Sequence, residues 1–327
     1  MDSGTHLVFG LGLGGLALTD PALAAEPYGP VAVLIGTVLG SQAPDADMLL
    51  RFKSNADYIK NHRGLSHSIP AVLGWTVLIT LVLALVFPSV PWTHLGAWVL
   101  LAVVVHVFTD LFNSYGTQAA RPVSKRWIAW NIIHIFDPFI FLSHVAAIVL
   151  WASGWAEPRA IFPVLYVIVA VYYGWRAWVH RRIEAKLPAL DEQRREGDRY
   201  FLLPTLSLYR WNVVRESQDC KFGIGEWENG KLVWIETTSC AQHPAVEASK
   251  NNRDVRSFLA ITPFPCGQVT SHSWGYEVRW IDIRYRHRRQ YPFVAVVLMD
   301  TNYESIQSYV GWLSDDRLQK RLRMNSY

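Results

Sequence analysis

Residues 69–87 form a run of nineteen side chains without a charge, bounded by Ser68 and Pro88. A helix crossing a hydrocarbon core of ~30 Å needs about 20 such residues. Inside lipid, a spanning segment must satisfy its own backbone hydrogen bonds, so this run is predicted to be a transmembrane helix. The alternative is a large soluble core, but buried helices of soluble proteins usually alternate with polar faces. Residues 95–112, 139–155 and 160–175 have the same apolar character, interrupted by His106, Asp110 and His144. They are predicted spans as well. Residues 7–18 and 28–43 are apolar but short, and are predicted to form a tight helical pair lining the bundle. The Ala-Leu-Ala-Ala stretch at 22–25 resembles a signal-peptidase site. No Lys or Arg precedes residue 51, however, so the expectation is that it is retained.

The charges divide the chain at the same place. Of 31 Lys and Arg and 27 Asp and Glu, only nine of each fall within residues 1–180. Residues 181–327 hold the other 22 and 18, and with them the whole net charge of +4. The expected fold class is therefore an α-helical integral membrane bundle of four to six segments, followed by a cytoplasmic, β-rich (α+β) domain. The expected boundaries are 1–180 for the bundle, 181–203 for a charged helical linker and 204–327 for the soluble domain. Basic residues collect in 44–67 (Arg51, Lys53, Lys60, Arg63) and in 113–138 (Arg121, Lys125, Arg126), while 88–94 carries none. The positive-inside rule predicts that these segments and both termini are cytoplasmic.

Eight of the eleven His lie in the charge-poor part. With the predicted topology, His6, Asp45, Asp47, His62, His67, His106, Asp110 and Asp137 all fall at one membrane face. His106 and Asp110 are four residues apart, so on a helix they share a face. Ionisable groups inside a span are costly and turn toward a polar interior. Each group alone has an ordinary explanation: a His–Asp bond between helices, a capped turn at Pro44-Asp45-Ala46-Asp47, a solvated loop around His62 and His67. Together, imidazoles and carboxylates at one depth suit a divalent ion such as Zn²⁺. Their number suits two ions with open positions, the arrangement that activates water for attack on phosphorus. The expected ligands are His6, Asp45, Asp47, His67, His106 and Asp110. His62 and Asp137 are expected as second-metal ligands or acid/base groups. Arg63, Ser66, Asn113 and Thr117 are candidates for holding phosphate oxygens, with interfacial capping an equal alternative. His94, His134, His144 and His180 are assigned to packing.

Thr5-His6, Pro44-Asp45-x-Asp47, His62-Arg63-Gly64-x-Ser66-His67-Ser68, His106-x-x-x-Asp110 and Gly116-Thr117 together resemble the bacterial membrane-bound, metal-dependent hydrolases. These are the YdjM-like, LexA-binding inner-membrane hydrolases. The resemblance covers roughly residues 1–150, and Ser66 stands where Thr is commoner. It implies hydrolysis, a divalent metal and a multi-pass location in the bacterial inner membrane. It does not imply a substrate. The order of His and Asp is also similar, more distantly, to zinc-dependent phospholipases C and single-strand nucleases, but it lacks a convincing later His-x-x-x-Glu.

Beyond Pro204 the pattern changes to strands. Residues 210–214 and 231–235 have β composition, with a turn at Glu228-Asn229-Gly230. Residues 276–280 and 281–285 alternate in opposite phase, which predicts a bulge or bend. Residues 293–299 read as a buried strand and 303–313 as a closing helix. Cys220, Cys240 and Cys266 are widely spaced and are expected as reduced thiols. His272, Asp282 and His287 form no recognisable site. The basic, aromatic run 284–289 suits lipid headgroups or nucleic acid, but equally a solvated turn, so no nucleic-acid partner is assigned.

The sequence therefore supports a membrane metal-dependent hydrolase acting on a phosphoester, plausibly of a lipid. Membrane lipids and a soluble protein are its expected partners. The alternatives are a non-enzymatic membrane regulator or scaffold, and a transporter. A transporter would carry its polar groups near the midplane rather than at one edge.

Overall fold

Apolar sequence becomes helix through residue 184, and alternating sequence becomes sheet after residue 198. The computed structural model describes residues 1–286, 290–313 and 315–322. It separates into two compact units. One comprises Met1–Asp47, His62–Ala185 and Pro204–Arg210; the other comprises Met48–Asn61, Lys186–Leu203 and Trp211–Tyr327.

The first unit is helical. Its helices are α1 (Ser3–Ala17), α2 (Pro21–Ala24), α3 (Gly29–Gln42), α5 (Ile69–Val86), α6 (Trp92–Asp110), α7 (Pro138–Ala152) and α8 (Pro158–Glu184), with α4 (Asn55–Asn61) in the other unit. Among the described residues, α5, α6 and α8 are long and apolar enough to cross a membrane, and α7 is a shorter apolar helix. Caps and prolines set their starts. Ser68 caps α5 ahead of Pro70, and Asp137 caps α7 ahead of Pro138. The predicted tight pair of short helices is α1 against α3. Glycine permits the approach: a Cβ at Gly10 would lie 2.3 Å from Ser41 Oγ, and one at Gly14 2.6 Å from Leu34 Cδ1. On its other side, α3 presents Gly36 and Gly40 to Val99, Ala102 and Val103 of α6. Leu23, in the stretch that resembles a cleavage site, is wholly buried in this bundle. At the end of α6 that begins the helix, Asp20 Oδ2 accepts from His94 Nδ1 at 2.9 Å and from Trp98 Nε1 at 3.1 Å.

The second unit holds two four-stranded sheets among the described residues. The first runs β1 (Arg199–Pro204), β2 (Arg210–Ser217), β3 (Lys221–Glu228), β4 (Lys231–Ser239). The Asn229-Gly230 turn joins β3 and β4, with both residues at positive φ, as a tight hairpin requires. The second sheet runs β5 (Pro265–His272), β6 (Gly275–Asp282), β7 (Phe293–Met299), β8 (Ser305–Trp312). All seven residues of β7 are buried, as for a central strand covered on both faces. The short helices α9 (Leu187–Leu190), α10 (Pro244–Ser249), α11 (Arg253–Leu259) and α12 (Asp315–Arg321) complete the set.

Two expectations change, the closing helix and the reduced thiols. The segment read as a closing helix is the strand β8, because its side chains pair in register with β7. Of the bulge and the bend expected after Trp280, the structure has the bend: β6 pairs regularly with β5 to Asp282, and the chain then turns into a 3₁₀ segment, Ile283–Tyr285. Cys240 and Cys266 are joined as a disulfide, and only Cys220 is free. Spacing of 26 residues hid that pair until the sheets brought the two together. The Met48–Asn61 excursion packs with the second unit, where Ala56 and Ile59 join Val255, Phe258 and Val310. There Arg253 also donates to Asp57 at 2.7 Å. His287, Arg288 and Arg289 of the basic run lie outside the described residues.

Candidate metal centre

Four side chains of the first unit converge: Asp45 from the 3₁₀ segment Ala43–Phe52, His67 from the 3₁₀ turn Leu65–His67, and His106 and Asp110 from the last turns of α6. All four are buried. His67 Nε2 lies 3.3 Å from His106 Nε2 and 3.3 Å from Asp110 Oδ2. Asp45 Oδ1 lies 3.7 Å from each imidazole Nε2, and His106 Nε2 lies 3.7 Å from Asp110 Oδ2. A tetrahedral ion with ligands at about 2.0–2.2 Å separates its donor atoms by about 3.3–3.6 Å. Five edges of this tetrahedron therefore have nearly the right length.

The protons point to the same reading. His106 Nδ1 lies 2.7 Å from Ser41 O, and a carbonyl can only accept, so Nδ1 carries the hydrogen. Ser66 Oγ donates its one proton to Asp47 Oδ2 at 2.6 Å, so its 2.9 Å contact with His67 Nδ1 must be donated by the ring. Neutral His67 and His106 then both turn an Nε2 lone pair into the cluster. Between them sits Asp45 Oδ1, buried and without a hydrogen-bond partner. Lone pairs and carboxylate oxygens facing one another inside a protein suit a cation between them. Burial, reinforced by the nearby His106 and Arg63, pushes the His67 pKa well below the ordinary imidazole value. It is thus neutral near pH 7, as a ligand must be. The donor set fits Zn²⁺ or a related divalent ion.

The remaining expected residues surround these four in distinct ways. His6 stacks on His106 with ring centroids 3.7 Å apart, and its Nε2 lies 3.3 Å from Asp110 Oδ1. The Met1 amine contacts His6 Nε2 and Asp110 Oδ1. Asp45, Asp47 and His62 form a second, less buried group of possible ligands. In it His62 Nδ1 meets Asp47 Oδ1 at 2.7 Å. Arg63 is buried and donates to Asn113 Oδ1 and Met1 O, with Nη2 3.4 Å from Asp110 Oδ1. Asn113 Nδ2 holds Asp110 Oδ1 at 3.2 Å, while its Oδ1 accepts from Tyr115 and Gly116 N–H. Thr117 Oγ1 accepts from Ala119 N–H, closing a turn. Gly116 is needed there: its φ is +66°, and a Cβ would meet Ile128 O at 2.3 Å.

Asp137 is engaged elsewhere. Its Oδ1 caps α7 through Phe139 and Ile140 N–H, and its Oδ2 accepts from Tyr172 at 2.7 Å. It does not join the converging donor atoms, and a cap before Pro138 explains it fully. His134 bonds to its own turn at Phe136 O, and His144 to Ile140 O. Sequence reasoning missed Ser41, whose backbone carbonyl fixes the His106 tautomer, because a carbonyl leaves no mark in residue identity.

Apolar spans enclosing a buried His/Asp centre define an integral membrane protein with a candidate metal site. The chain belongs to the family of YdjM inner membrane proteins, which matches residues 1–183. Residues 244–322 match the YfhP C-terminal alpha/beta plait domain. The chain is 42% identical over 330 residues to the "Uncharacterized protein YfhP" of Bacillus subtilis (strain 168), with all of both chains covered. No solved structure matches it.

Proposed function

We propose that this membrane protein is a metal-dependent hydrolase of a phosphoester, acting at the cytoplasmic face of the inner membrane. The observation that carries the reading is the pair of His residues held as Nδ1–H tautomers with both Nε2 lone pairs aimed at two buried carboxylates. A divalent ion bound there would supply Lewis acidity, lowering the pKa of water and polarising a phosphoryl oxygen. Asp45, His67, His106 and Asp110 would hold it. His6, beside the second oxygen of Asp110, would be the candidate ligand of a second ion.

The chain's own groups supply the rest. Arg63 brings a fixed positive charge to the edge of the cluster, suited to a phosphate oxygen. His62, partly exposed and paired with Asp47, is suited to pass a proton to or from the reacting oxygen. A lipid phosphoester is favoured because the ligands come from the end of a spanning helix and its adjoining loops, where headgroups lie.

The test is hydrolysis by the full-length protein, loaded with Zn²⁺ or Mn²⁺ in detergent, of a panel of lipid and nucleotide phosphoesters. The expected result is turnover of a lipid substrate that Asp45→Asn abolishes. Metal-loaded protein inert across the panel would overturn the enzymatic reading.

A further inference from the structure

We infer that Asp47 is a positioning residue rather than a metal ligand: its one carboxylate sets the tautomer of His67 through Ser66 and that of His62 directly. The inference rests on the metal-centre reading above and assigns Asp47 a different task from that of Asp45, two residues away.

The hydrogen-bond geometry divides Asp47 into two halves. Oδ2 accepts from the Arg63 backbone N–H at 3.0 Å and from Ser66 Oγ at 2.6 Å. Oδ1 takes His62 Nδ1 at 2.7 Å. A carboxylate accepting three hydrogen bonds has few lone pairs left for an ion. The His62 contact is itself informative. Two ligands of one ion at about 2.0–2.2 Å lie no closer than about 2.8 Å even at right angles. A 2.7 Å separation is instead that of a charge-assisted hydrogen bond.

The consequence travels by proton logic. Because Asp47 takes the only proton of Ser66, Ser66 must accept from His67 Nδ1, at 2.9 Å. His67 is then obliged to offer Nε2 to the cluster. Without Asp47, the Ser66 proton is free to rotate toward Nδ1. That would place the ring hydrogen on Nε2, pointing into the metal position. Outer partners of this kind typically change metal affinity 10–100-fold without changing ion number. The Arg63 N–H bond has a further role. Arg63 sits at φ 60°, and Asp47 Oδ2 pins that turn between His62 and Ser66.

The test uses Co²⁺ alone as the probe, titrated into full-length protein in detergent, with ion number and visible absorption as readouts. Wild type and Asp45→Asn establish the centre: the variant should lose the tetrahedral absorption. Asp47→Ala, which removes the acceptor, should keep the wild-type ion number and lose affinity 10–100-fold. Ser66→Ala removes a single oxygen and should fall in the same range even if Asp47→Ala folds poorly. Ser66→Thr, which keeps the hydroxyl, should retain wild-type affinity. The double variant Asp47→Ala with Ser66→Ala should bind no more weakly than Asp47→Ala, since both break one relay. Fewer ions bound by Asp47→Ala would make it a ligand and overturn the inference. So would wild-type affinity in both single variants. Wild type that binds no Co²⁺ would instead remove the metal centre itself, and the two failures are distinguishable.

Discussion

His67 Nε2 and His106 Nε2 face each other across 3.3 Å with neither carrying a proton. Two such lone pairs cannot bond to each other, and a cation between them would stabilise the cluster. Metal should therefore stabilise the fold as well as serve chemistry. At an ion concentration of 100 times Kd the gain is about 2.7 kcal/mol. Zn²⁺ should raise Tm in thermal scans of the purified protein, and chelation should reverse the rise. His106→Ala should abolish the response. A Tm indifferent to both treatments would contradict stabilisation by a cation.

The close approach of α1 to α3 makes Gly10 intolerant of a side chain. A Cβ there meets Ser41 Oγ at 2.3 Å and Thr37 O at 3.0 Å. Gly10→Val should cost about 1–3 kcal/mol, the usual range for overpacking. It should also weaken metal binding, because the displaced Ser41 supplies the carbonyl that orients His106. Gly74→Ala, with nothing within 4 Å of its Cβ position, is the control and should leave Tm unchanged or higher. Equal melting of the two variants would refute the steric argument.

Asp191 organises the start of the sheet unit. It accepts from Tyr200 Oη at 2.7 Å, Arg215 Nη1 at 2.8 Å, Trp234 Nε1 at 2.9 Å and Gln193 N–H at 3.0 Å. Burial opposes its charge, but these bonds prevail and hold its pKa below the ordinary value. A depressed carboxyl contributes stability that is fully present above the unfolded pKa of about 3.9 and lost as pH falls through the lower folded value. Asp191→Asn should thus cost about 1–3 kcal/mol at pH 7. The gap between variant and wild type should close at pH below about 4. Denaturant titration at several pH values measures it, and a gap constant down to pH 3 would exclude the carboxylate as its source.

Alkylation of the unfolded protein without reductant should modify one cysteine, Cys220, and three after reduction. The same count in intact cells tests the topology. Disulfides persist in oxidising compartments and are rare in the cytosol. One reactive thiol in cells would oppose the cytoplasmic orientation proposed from the basic loops; three would support it, with the Cys240–Cys266 bond forming only after extraction.

Much of this arrangement is legible in the residues because periodicity and cost both leave marks. A charge-free run of membrane length has few alternatives, and His106 and Asp110 share a helix face by spacing alone. Long-range pairing leaves no such mark. Asp137 looks like any carboxylate beside a membrane until Tyr172, 35 residues later, supplies its partner. Residues 303–313 are short and mixed, so pattern alone does not separate helix from strand, and pairing with β7 decides. Asp45 and Asp47 look equivalent in Pro-Asp-Ala-Asp; only the folded loop gives one an orphaned oxygen and the other three donors.

The bond from Trp98 to Asp20 turns α6 into a ruler. Trp98 and Asp110 lie twelve residues apart on one continuous helix, about 18 Å at 1.5 Å per residue. One mark is tied to the loop after α1, and the other is a candidate metal ligand. A bilayer that thins or thickens can tilt the bundle but cannot change this spacing. The depth of the centre is thus an internal length, counted in helical turns, and inserting one residue between the marks would swing His106 and Asp110 by about 100° away from their partners.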